Sequence, residues 1–162
     1  MQKFDKIILH YIDLLDASIG RFCEKESSMN GVASISSDDF LETYFSDGCT
    51  VFINLCFTEL DKVLKQLFEK ICLLGKSFSP NTTRIEEMKF STYCSLSKIC
   101  IKSVDKQISE NVLRKILISQ FPSLSVQILS QLNTPNARNV RKTFISFFGV
   151  LGQASSDIFD SC

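Results

Sequence analysis

The chain reads as all-α, an irregular bundle or short helical-hairpin stack of six to seven helices around a long central helix, about Cys49–Leu74. Three observations predict it. Apolar residues recur at steps of three and four through most of the 162 residues, the interval that brings side chains onto adjoining rows of a helix. No segment sustains a two-residue alternation between hairpin turns, so no strand is required. The third observation is the run Cys49–Leu74 itself, which follows Asp47-Gly48, stops at Gly75 and is apolar around more than half its circumference.

The elements follow in order. A first helix spans about Gln2 to Lys25, with Phe4, Ile8, Tyr11, Leu15, Ile19 and Phe22 on the helical repeat and Ile7, Ile12 and Leu14 widening the stripe. Ser27–Ser37 has no periodicity and reads as a loop. Ser36 followed three residues later by Asp39 marks the cap of a short helix that begins near Asp38 and ends before Gly48. Its inward residues are Phe40, Leu41, Tyr44 and Phe45.

The long helix comes next, carrying Phe52, Cys56, Phe57, Leu60, Leu64 and Phe68 among its apolar residues. After the connection Lys76–Thr82, Thr83 and Glu86 form a capping box for a third major helix through about Lys106, with Ile85, Met88, Tyr93, Leu96, Ile99, Cys100 and Val104 inward. Ser109 can cap a fourth, which Pro122 ends or kinks. A fifth holds Leu124, Ile128, Leu129 and Leu132. Thr134-Pro135 then opens a final helix to about Leu151, because threonine caps and proline suits the first helical position.

A chain of this length forms one domain, here 1–152, with 153–162 read as a flexible C-terminal tail. The 44% hydrophobic content, fourteen Phe and zero net charge oppose disorder of the whole chain. Charge is uneven along it. Residues 1–83 carry 8 Lys/Arg against 12 Asp/Glu, residues 84–148 carry 10 against 4, and 149–162 add two Asp. Neither half has the clustered basicity of a dedicated nucleic-acid binder.

Seven Cys, most within apolar helical stretches, read as reduced core thiols. No charged segment precedes an apolar one at the start of the chain, so the expected location is intracellular, cytoplasmic or nuclear. No stretch approaches the roughly 20 apolar residues that span a bilayer.

Several chemistries lack their residues. A Ser-His or Cys-His pair needs a histidine, and His10 stands alone between Leu9 and Tyr11 on the first helix. Cys94 and Cys100 are six apart with no second pair, unlike the closely spaced pairs of structural zinc sites. The glycines match no phosphate-binding pattern. Asp13 with Asp16, and Glu86 with Glu87, read as charged helix faces. No cofactor or metal is expected, and the chain is read as no enzyme.

What remains is an excess of apolar surface. The expected function is a non-catalytic protein–protein interaction domain, an adaptor or a subunit of a larger assembly. The candidate partner-binding residues are Arg138, Arg141 and Lys142, which share one face of the final helix, and Phe144, Phe147 and Phe148 on the other side. A solvated face is the simpler account of the three cations. The alternative is a helical domain that binds nucleic acid through the basic 84–148 region.

Overall fold

Residues three and four apart hold the first helix to the rest. In the computed structural model, which describes residues 3–28, 35–77, 83–116, 145–147 and 149–150, α1 runs Lys3–Ser28 and buries Ile8, Ile12, Leu15, Ile19 and Cys23 as one stripe. Leu14, expected to widen that stripe, is 42% exposed. All elements among the described residues are helices: α1, α2 (Ser37–Tyr44), α3 (Ser46–Lys76), α4 (Arg84–Lys102) and α5 (residues 106–116), with residues 145–147 and 149–150 also helical. The all-α bundle around a long helix is therefore the architecture.

Helix α2 begins where its cap predicts. The Ser36 hydroxyl accepts from the Asp39 amide at 3.2 Å, satisfying a donor that the first turn leaves open. It ends at Tyr44, three residues earlier than expected, because Phe45 leaves the helical region at φ −140°, ψ 27° and lays its ring over Gly48. A Cβ at Gly48 would fall inside that ring. Asp47-Gly48 is thus not a stop between helices. It lies within the first turn of α3, and the glycine serves close packing rather than a turn.

Helix α3 buries Phe52, Cys56, Leu60, Val63, Leu64, Leu67, Phe68 and Ile71. It is not the unbroken helix that its sequence suggests, since Glu59 adopts φ −129°, ψ 34° and kinks it without a proline or glycine at that point. Glu59 pairs with Lys62 at 3.1 Å, and Lys62 lies over the Phe4 ring of α1 at 5.4 Å. Tyr11 meets Phe52 edge-on. With Phe4 beside residue 62 and Tyr11 beside residue 52, α1 and α3 run antiparallel.

Helix α4 has the most enclosed position. Thr83 caps it, its hydroxyl accepting from the Glu86 amide at 3.2 Å and donating to the Glu86 carboxylate at 3.0 Å. From Phe90 to Ser97 all eight residues are buried, on every side of the helix. Ile85, expected inward, is 37% exposed in the first turn. The helix ends at Lys102 rather than near Lys106, and serines satisfy its last carbonyls: Ser103 donates to the Cys100 carbonyl at 2.7 Å and Ser109 to that of Ile101 at 2.9 Å. Ser109 was expected to cap the following helix. Instead it lies inside α5, buried, and closes the end of α4. No described helix is long and apolar enough to cross a membrane.

Candidate interaction surface

Two large apolar side chains of α3 face water although its core stripe is buried. Phe57 is 63% exposed and Leu73 65%. Phe57 and Phe68 are eleven residues apart, three helical turns, and would share one side of a straight helix. Phe68 is buried against Phe147 at 5.5 Å, whereas Phe57 stands outside, with the kink at Glu59 between the two. The periodicity places Phe57 in the stripe because periodicity assumes a straight axis.

Tyr44 adds a second exposed ring, at the end of α2. It stacks on Phe40 with centroids 5.5 Å apart and packs at 5.3 Å against Phe22, so its orientation is fixed from beneath. The surrounding outer face of α2 carries Asp38, Asp39 and Glu42, all exposed, and Asp47 follows at the start of α3. No Lys or Arg occurs from residue 35 to 61, so this segment itself is acidic.

Of the residues expected to bind a partner, Phe147 is placed in the core. It is 1% exposed and meets the Phe68 ring edge-on, so it supports α3 from inside rather than offering a contact outside. Nearby, Lys98 of α4 reaches the Ser146 hydroxyl at 3.1 Å, so this short helical stretch is tied to α4 as well as to α3. Arg138, Arg141, Lys142, Phe144 and Phe148 lie outside the residues whose side chains are described, as do the expected helices over 124–132 and the tail 153–162.

The interior beneath this surface is more polar than the sequence suggests. The Tyr93 hydroxyl donates to the Asp16 carboxylate, joining α4 to α1, and burial together with that carboxylate pushes the phenol far above its usual range. Asp16 therefore has a partner across the core and is not merely part of a charged helix face. Ser37 and Ser95 share a buried hydrogen bond of 2.6 Å between α2 and α4. Arg84 grips Glu26 with two nitrogens, at 3.0 and 3.4 Å, and that hydrogen bond raises its pKa further. Thr92 alone among the described buried side chains has a polar atom with no hydrogen-bond partner. None of these pairs was legible beforehand, because each joins residues 58 or 77 positions apart.

Four thiols, Cys23, Cys49, Cys94 and Cys100, have raised pKa values. Burial raises Cys49 to about 11 and Cys94 well above the usual value, while Cys100 is raised first by its hydrogen bond with Cys56 and then by burial. At Cys23 burial outweighs the opposing charge of Arg84. A thiol attacks as its thiolate, so these positions are poor nucleophiles at neutral pH. His10 lies exposed on α1 with its ring edge-on to Tyr11. Among the described residues no group of three or more His, Cys, Asp or Glu is arranged to hold a metal ion. Compared with known protein families, curated proteins and solved structures, the chain matches none.

Proposed function

We propose that this chain is a non-catalytic protein–protein interaction domain, an adaptor or a subunit of a larger assembly, which docks a partner through the outer side of α3. The exposure of Phe57, 63% on a helix whose neighbouring Cys56 and Leu60 are buried, carries this reading. An aromatic ring left in water gains free energy when a partner covers it, and rings of this kind tend to anchor interfaces. Leu73 is also exposed, but it lies sixteen residues further along and on a different side of the helix, so it serves as the control for apolar exposure away from Phe57.

An intracellular, reducing setting suits the same reading. Cys23, Cys49, Cys56, Cys94 and Cys100 are free thiols, and five of these in one small domain favour a compartment that keeps them reduced. The test is quantitative affinity capture with the full chain, its Phe57→Asp variant and a Leu73→Asp variant, alongside thermal melts. The expected result is a stoichiometric protein partner retained by the original chain and lost with Phe57→Asp while the melting temperature is unchanged. An identical set of retained proteins for all three chains, or a lone monomer throughout, would refute it.

A further inference from the structure

We propose that the corner between α4 and α5, separate from the α3 surface, is a contact for an anionic lipid bilayer: Ile108 enters the boundary between headgroups and acyl chains while the cations around it meet the headgroups. One bond builds the corner. Ser109, buried in α5, donates to the Ile101 carbonyl at 2.9 Å and pins the first turn of α5 against the end of α4. Leu113, fully buried one turn further on, keeps the same side of α5 inward. The residues next in the chain to the bonded pair are left outside. Lys102, which ends α4, is exposed, and Ile108 is 47% exposed although its side chain is large and aliphatic.

Ile108 does not stand alone. Val112, one turn on, and Val104, in the connection before α5, are half-buried at the edge of the core, so a short aliphatic ridge leads from the interior to Ile108. Exposed cations surround it in the sequence: Lys102 before the corner, Lys106 in the first turn of α5, then Arg114 and Lys115. Ile108, Asn111 and Lys115, spaced by three and four, share one side of the helix. Two carboxylates belong to the same stretch, exposed Asp105 and Glu110, which meets Lys106 at 3.9 Å, and the four cations outnumber them.

Charge separates this corner from Phe57 and Tyr44, whose segment holds no Lys or Arg. The negative potential of an anionic bilayer attracts the cations, and the aliphatic ridge lowers its free energy on leaving water for the acyl boundary. A nucleic acid offers similar phosphates but no hydrocarbon for Ile108, and residues 102–116 contain no aromatic ring on which a base could stack. The excess of cations is small, so the contact is reversible and screened by salt. It is also peripheral, since no described helix is long and apolar enough to cross the bilayer.

The experiment uses the full chain and unilamellar vesicles of phosphatidylcholine alone or with about a third phosphatidylserine, at low and high salt. The chain should sediment with the phosphatidylserine vesicles at low salt, be released at high salt, and stay in solution with phosphatidylcholine alone. Because the sequence contains no Trp, Ile108→Trp supplies a single reporter, whose emission should move to the blue only with the anionic vesicles. Lys102→Gln should weaken binding about fivefold, the worth of one cation at such a surface, and Ile108→Asp by more than about tenfold, while Lys65→Gln on α3 leaves it unchanged. All three positions are exposed, so the variants should melt with the original chain. Equal sedimentation with both kinds of vesicle, none with either, or undiminished binding by Ile108→Asp would overturn the proposal. So would retention on single-stranded or duplex DNA without vesicle binding, which would assign the corner to nucleic-acid phosphates.

Discussion

Helices α3 and α4 pack side by side and follow opposite rules. α3 is an amphipathic helix: its core stripe is Phe, Leu, Val and Ile, and its other side, with Asn54, Asp61, Lys65 and Glu69, lies in water. Over Phe90–Ser97, α4 is enclosed all round, yet half of those eight residues are Ser or Thr: Ser91, Thr92, Ser95 and Ser97. Hydrophobicity decides which side of α3 is buried. Size decides that all of this stretch of α4 can be, because short side chains let α1, α2 and α3 approach it together. The hydroxyls are then accommodated singly, Ser95 by Ser37 and Ser97 by the carbonyl of Tyr93 at 2.9 Å.

This contrast can be broken most severely by enlarging α4. Ser95→Leu should both overfill the gap to α2 and strand the Ser37 hydroxyl, and is expected to lower unfolding free energy by about 3 kcal/mol or more in urea titrations. The matching control, Lys65→Leu on the exposed side of α3, should change it by less than about 0.5 kcal/mol. Equal effects at the two positions would mean that α4 is no more enclosed than α3.

A cut in the core of α3 comes next. Leu64→Ala removes a fully buried side chain and should cost about 2–5 kcal/mol, the spread reflecting how far the surrounding helices collapse into the space. Tyr93→Phe leaves the ring in place and removes only the donor to Asp16, for an expected loss of about 1–2 kcal/mol by the same titration. Thr92→Val should act in the opposite direction. It keeps the shape and discards a buried hydroxyl without a partner, so a gain of up to about 1 kcal/mol is expected, and a loss would show that the hydroxyl is satisfied in solution.

The smallest effect concerns Glu87 in the first turn of α4, whose carboxyl burial pushes above the ordinary glutamate range against the opposing pull of Arg84. The sign follows from linkage. A raised carboxyl pKa in the folded state means that the folded chain holds this proton more tightly, so Glu87 favours folding at low pH and that contribution is lost as pH rises through the folded pKa. Glu87→Gln should therefore raise the melting temperature slightly at pH 7, and the difference should shrink to nothing below the ordinary glutamate pKa of about 4.3. A variant that melts lower at pH 7 would show that Arg84 needs both Glu26 and Glu87.

Much of this fold could be read from local pattern. The cap at Ser36, the cap at Thr83 and the stripe of α1 all depend on residues within a few positions of one another, where spacing alone fixes geometry. The errors share the opposite property. Gly48 reads as a break until the Phe45 ring lies over it, Ser109 reads as the cap of α5 until it closes α4, and Phe57 reads as core until the axis bends at Glu59. Phe147, set among surface contacts by its helical face, proves to be the support behind Phe68.

By itself, then, the sequence determined that the chain is helical, where α1, α2 and α4 begin, and which stripe of α1 turns inward, since these follow from the 3.6-residue repeat and from backbone donors that nearby side chains must satisfy. Only the tertiary structure decided that the serine-rich stretch of α4 is enclosed, that Asp16 meets Tyr93, that Ser37 meets Ser95 and that Phe57 remains outside. Those outcomes depend on side-chain volume and on which helix lies opposite. Neither quantity has a period that a single chain displays.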